Sequence, residues 1–335
     1  MIDFRYHLVS IIAVFLALAI GIVVGSTALQ PLVVNSLQAT EKILRSQIDN
    51  ANKTNSQLTQ QGNASQLFAQ AASGRLLDHL LTGQSVVLVV APGASGAVLN
   101  GLTSAVQQAG GTITGQVALQ QQFFDTSDST EAKLTGLAQQ LAADAGISLS
   151  NQPASGPVTG QQAAAQVLAA ALVQKNGDGL AATQAQAILA GLGQGGYLQV
   201  TPASGSSTAL PLATTALVVA PATPPTTSDV SPANLTLLAV AEQLEGSSGG
   251  TVLAGSLAGS GPGSAIDEAT GANKISTVDD ADVPVGQIIT VQALSELLAG
   301  HTPTSYGVHP GAVPSPAPTP SASPSLTVTS PARRK

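Results

Sequence analysis

Three carboxylates, Asp279, Asp280 and Asp282, fall within four residues of one another, directly after an apolar run ending at Val278. Oxygen ligands at that spacing suit a hard cation such as calcium or magnesium, and they equally suit an acidic turn capping the next helix. The four histidines stand at 7, 79, 301 and 309, so His301 and His309 are the one nearby imidazole pair. They are weak candidate metal ligands, and equally ordinary surface histidines. Gly191, Gly193 and Gly196 satisfy GxGxxG, but they close a helical run and precede a strand. A dinucleotide fingerprint needs the reverse order, with the pyrophosphate meeting a helix N-terminus. The loop Gly259-Ser260-Gly261-Pro262-Gly263-Ser264 has the right context, after a strand and before a helix, so its amides could cradle an anion. It lacks the lysine or spaced acid that would make it more than a flexible connection. There is no GxSxG elbow and no HExxH, and therefore no visible hydrolase or metalloprotease machinery. The reading is that the chain is not an enzyme and carries no cofactor.

Composition narrows the classes further. The 335 residues include no Cys, no Trp and one Met, which excludes disulfides, thiolate metal sites and a cysteine nucleophile. A net charge of −7, with 11 Lys plus Arg against 18 Asp plus Glu, argues against binding a phosphate backbone, and 2% aromatics leave little for base stacking. Nucleic acid is not expected as a partner.

The elements that position these residues begin with a membrane segment. Leu8 to Leu29 carries no charge, and about 21 residues at 1.5 Å rise span roughly 30 Å of hydrocarbon. A transmembrane helix over 8–29 is expected; Ser26-Thr27-Ala28 leaves a cleaved signal peptide as the alternative. Arg5 and the terminal amine precede the run and 30–40 is uncharged, which places residues 1–7 in the cytoplasm and the rest outside. Ala13, Ala17, Gly21 and Gly25 recur every four residues and would let two such helices approach closely. Residues 30–80 read as a helical stalk whose seam is Leu37, Leu44, Ala51 and Leu58, with polar Thr40, Gln47, Thr54 and Gln61 at the alternate positions. Such a coiled coil is weak and depends on the anchor to concentrate its strands, which implies a homo-oligomer or a membrane partner.

From 85 to 300, β-branched runs alternate with Ala/Gln/Leu-rich helical runs, the order of an open, mostly parallel α/β sheet. Strands are expected at 85–90, 112–118, 197–200, 215–219, 251–254 and 275–278. The pentapeptide Leu88-Val89-Val90-Ala91-Pro92 recurs as Leu217-Val218-Val219-Ala220-Pro221, which raises two related halves as an alternative to chance. From 302 to 335 the chain is rich in Pro, Ser, Ala and Thr and ends in Arg333-Arg334-Lys335, a composition expected to stay disordered.

The start Met1-Ile2-Asp3-Phe4-Arg5-Tyr6-His7-Leu8-Val9-Ser10, with the apolar run through Gly25, resembles the actinobacterial family known as copper transport protein MctB. The stretch Ser276 to Gln287, with Ala293 to Gly300 and Tyr306-Gly307, is similar to that family's C-terminal signature. The resemblance implies a membrane-associated envelope protein of copper efflux or tolerance, while some relatives are linked to septal cell-wall assembly with a membrane partner. Copper(I) selects thiolates and thioethers, and Met1 is the only such side chain, so no ligand set is visible. Copper is expected as a transported ion, handled by an oligomer or with a partner.

Overall fold

The computed structural model describes residues 4–149, 159–203, 209–224, 226–272 and 274–316; for 4–5 and 27–37 it describes the backbone only. The chain divides into two units, Met1–Ser65 and Gln66–Lys335. Helix α1 spans Phe4–Leu76. Within the first unit, Tyr6–Ser26 has a mean hydropathy of 2.9 and is the one described helix long and apolar enough to cross a membrane. Its large side chains, from Leu8 to Val24, are exposed, as expected of a surface whose solvent is lipid. Ala13, Ala17 and Gly21 are exposed as well, and a Cβ added at Gly21 or Gly25 would meet nothing within 4 Å. Leu44, Ala51 and Leu58 of the expected seam are exposed, while the side chain of Leu37 lies outside the described residues.

The second unit is built on a seven-stranded sheet. Its strands are β1 (Ser85–Val90), β2 (Thr112–Leu119), β3 (Leu198–Pro202), β4 (Thr215–Val219), β5 (Thr251–Ala254), β6 (Ser276–Val278) and β7 (Ser305–Tyr306), in the order β3-β2-β1-β4-β5-β6-β7. All neighbours are parallel except β2 and β3. Strands of Val, Leu and Ala buried on both faces need helices on both faces. One face is covered by α2 (Gly96–Gln108) and α8 (Pro284–Leu298), whose Val98, Leu102, Val106, Val291 and Leu294 pack on Val86, Leu88, Val252 and Val278. The other is covered by α3 (Asp128–Ala145), α4 (Gly160–Leu172), α5 (Ala182–Gln194), α6 (Pro232–Ser247) and α7 (Ala265–Ala272). There Leu168, Leu192, Leu237 and Ile266 pack on Val87, Val117, Val218 and Leu253. Burying one Leu or Val of this kind is worth roughly 1.5–3 kcal/mol, and the core of this unit is mainly aliphatic, with Phe123, Tyr197 and Tyr306 as its buried aromatics.

The mostly parallel, open α/β reading therefore holds. The repeated pentapeptide has a specific placement, because β1 and β4 are adjacent and pair Leu88 with Leu217, Val89 with Val218 and Val90 with Val219. One difference from the sequence reading stands out. Residues 302–316, grouped by composition with the tail, carry β7 and a turn in which Val313 bridges Tyr306. Their order comes from long-range bonds that composition does not register. The remainder of that tail, 317–335 with its basic triplet, lies outside the described residues.

Candidate functional site

The carboxyl ends of the parallel strands gather the chemistry-bearing residues, the edge at which open α/β sheets place their ligands. Here the edge is largely tied to itself. Asp279, directly after β6, is 1% exposed, and its two carboxylate oxygens accept from the backbone amides of Val308 (3.0 Å) and His309 (2.6 Å). Gly307, at φ +127°, comes so near that a Cβ there would sit 2.0 Å from the Asp279 carboxylate. Only glycine fits that approach. Asp279 thus works as a clamp on the segment after β7.

Asp280 faces the other way. The chain leaves β6 at Val278, and beyond it Asp280 packs against α8 while Asp279 reaches the segment after β7. A Cβ on Gly286, in the first turn of α8, would lie 2.0 Å from the Asp280 carbonyl oxygen and 2.5 Å from its Oδ1. Burial, reinforced by the neighbouring Asp279 and Asp282 charges, pushes the Asp280 carboxyl up to about 6. Its Oδ1 is buried without a hydrogen-bond partner. Asp282 is exposed. The three carboxylates adjacent in sequence are thereby divided among the clamp after β7, the contact with α8 and the surface.

His309 is held by its ring, with Nε2 3.3 Å from the Asp267 carboxylate on α7 and Nδ1 3.1 Å from the Pro310 carbonyl oxygen. His301 follows the end of α8, exposed, its amide donating to Glu296. β7 lies between the two imidazoles along the chain. Among the described residues no group of three or more His, Asp or Glu side chains is placed to hold a metal ion.

The glycine-rich loop before α7 also satisfies itself. The amides of Gly259, Ser260 and Ser264 donate to Ser256, Leu257 and Gly261, and that of Gly263 donates to Asp267. Asn234 in turn donates to the Gly263 carbonyl, tying the loop to α6. With Pro221, Thr227, Asp229 and Ser231 this loop lines a cavity of about 210 Å³. At the point where strand order reverses, between β1 and β4, the crevice is sewn by Ala91 donating to Val219 and Ala222 donating to Gly93. Gly191 and Gly193 lie inside α5, and Gly196 follows it at φ +76°, leading into β3.

Sequence reasoning named Tyr306-Gly307 only through the family resemblance, and it missed Asp267, the close approach of Gly307 and the Tyr306–Glu296 pair. Tyr306 donates to Glu296 at 2.5 Å, and burial with that bond pushes its phenol up to about 12. A signal was available for the glycine, since Tyr-Gly after an acidic strand end invites a close backbone approach, but nothing local names its partner.

Two comparisons place the chain. The family model described as "Copper transport outer membrane protein, MctB" matches residues 1–316. The Mycobacterium tuberculosis protein named "Copper transporter MctB" is 31% identical over 321 residues, 93% of this chain and 98% of its own. The Mycobacterium leprae protein of the same name is 32% identical over 323 residues, with the same coverage. The match thus runs from the apolar helix through the Asp279 clamp and the turn after β7, and on that extent the chain belongs to the MctB family.

Proposed function

We propose that this chain is a single-pass, membrane-anchored envelope protein of copper homeostasis, with its N-terminus in the cytoplasm and its sheet domain outside. It acts in copper efflux as a homo-oligomer or with a membrane partner. The observation that carries this reading is the family match over residues 1–316, whose relatives are named copper transporters. The apolar Tyr6–Ser26 helix supports the anchor. One helix cannot enclose a pore, because lipid tolerates only bundled helices or closed barrels around a polar path. The absence of Cys and the single Met leave no soft-ligand set for copper(I) in one subunit. Copper handling therefore requires further subunits or a partner that supplies the ligands.

That same shortage of ligands favours a second reading, a non-enzymatic scaffold that binds a membrane partner in septal cell-wall assembly. Metal quantification in a deletion strain under copper load separates the two. We expect excess cellular copper and copper sensitivity, both reversed by the intact gene. Parental copper content with misplaced septa would remove the efflux reading in favour of the scaffold.

A further inference from the structure

The two edges of the seven-stranded sheet are finished differently. Beyond β7 the chain adds itself, for Val313 bridges Tyr306, its amide donating to Ser305 and its carbonyl accepting from Gly307. Beyond β3 no described strand follows. The amide of Gln120 donates to Tyr197 and that of Ala203 to Thr114, so alternate residues from Tyr197 to Ala203 turn their polar backbone toward β2. Leu198 and Val200 therefore turn theirs outward. Edges of this kind are usually blunted by charge, a bulge or a covering element. The residues of β3 carry no charge, and Pro202, at its end, is the one that lacks a donor.

A groove of about 640 Å³ follows this edge, lined by Leu189 and Ala190 of α5, by Leu198, Gln199 and Val200, and by Leu210. Three successive residues of one strand line it although their side chains alternate, so it runs along the rim of β3 and not over one face of the sheet. Leu198 and Val200 pack toward the core beneath α5, whereas Gln199 and Thr201 are exposed.

We infer that this rim takes up residues 325–330 of a second copy of the chain as an added strand. The inference deepens the oligomeric part of the proposed function and rests on that part alone. Among residues 317–335, Leu326 and Val328 are the only large apolar side chains, and they alternate with Thr327 and Thr329 between Pro324 and Pro331. In a strand the first pair shares one face and the second the other. Laid beside β3, Leu326 and Val328 meet the groove at Leu189 and Leu210, and the threonines meet the exposed Gln199 and Thr201. Its backbone supplies partners for the outward groups of Leu198 and Val200. Reach decides whose segment it is. From Val313 to the rim beyond β3 is eight strand spacings, about 38 Å, and the thirteen residues to Leu326 extend to about 43 Å. The straight line runs through the sheet, and passing round a helical layer adds roughly 20 Å. The chain's own tail falls short, and a neighbour's does not.

The chain has no cysteine, so introduced ones report the contact in the full-length protein in native membranes. Residues opposite one another in adjacent strands lie about 5 Å apart, within disulfide reach. With Gln199→Cys in one tagged copy and Thr327→Cys or Thr329→Cys in a differently tagged one, mild oxidation should give mixed dimers several-fold faster than with Thr319→Cys. Adding Leu326→Asp and Val328→Asp, which lie outside the sheet domain's core, should abolish that advantage. Equal rates, or an advantage that survives the two aspartates, would overturn the inference. When Gln199→Cys and Thr327→Cys share one chain, bridging confined to monomers would assign the rim to the chain's own tail and overturn the second copy. Dimeric mass in detergent without preferred bridging would remove the added strand and leave the oligomeric reading; monomeric mass without bridging would remove both.

Discussion

Asp280 is the residue at which physical chemistry and position disagree most. Its carboxyl is buried beside α8, one oxygen lacks a partner, and the group holds its proton up to about 6. Because the folded chain holds that proton more tightly than the unfolded chain, stability falls as pH rises from about 4 to about 6 and the deficit is complete above it. Asp280→Asn keeps the shape and removes the charge, so it should stabilise the sheet domain by roughly 1–2 kcal/mol at pH 7.5, after allowance for partial screening by solvent. The gain should vanish near pH 4, where both chains carry a neutral side chain. Denaturant titrations at the two pH values measure it, and a gain of the same size at both would refute the charge argument. Asp279, its neighbour, is satisfied by two amides, so two adjacent acids play opposite parts because one carboxylate meets backbone donors and the other keeps a buried oxygen without one.

Elements differ in how much of their structure is local. β1, β4 and β5 begin and end where their β-branched runs do, and α2 where Ser95 caps it. The antiparallel direction of β3 has no local signature, since its composition is that of any half-buried strand. β7 is two residues long in a Pro/Thr/Ser context and exists through Asp279 and Glu296, both distant in sequence. The acidic motif was legible as chemistry but not as a clamp, because Gly307, its partner, lies beyond α8. For the apolar N-terminal helix the legible feature is the small-residue stripe, and Gly21 and Gly25 leave open space where a neighbouring backbone can approach. Replacing both by Ile should fill that space and weaken association of the full-length chain in detergent. Unchanged mass by light scattering would argue that the stripe is compositional and that the stalk alone pairs the chains.

At the scale of the molecule, topology decides whether the family function is physically accessible to this chain. An α/β unit whose carboxyl edge is bound up in its own hydrogen bonds is poorly suited to carry an ion through itself, so its side of the membrane determines what it can meet. Arg5 and the terminal amine precede the apolar run, and the first charged residue after it is Glu41, with Lys42 and Arg45 close behind. Positive charge close to the run sets orientation, and the uncharged 30–40 flank leaves the N-terminal side as the more basic. No second described helix is long and apolar enough to return the chain across the bilayer. A reporter active only in the cytoplasm, fused after Lys335 so that β7 stays intact, should therefore be silent, while one active only outside should be bright. Cytoplasmic activity would invert the orientation, place Asp279, Asp280 and the glycine-rich loop inside the cell, and confine the domain to cytoplasmic partners. The silent result would leave the stalk and sheet domain facing the envelope, where a second copy or a membrane partner must complete whatever copper path the family uses.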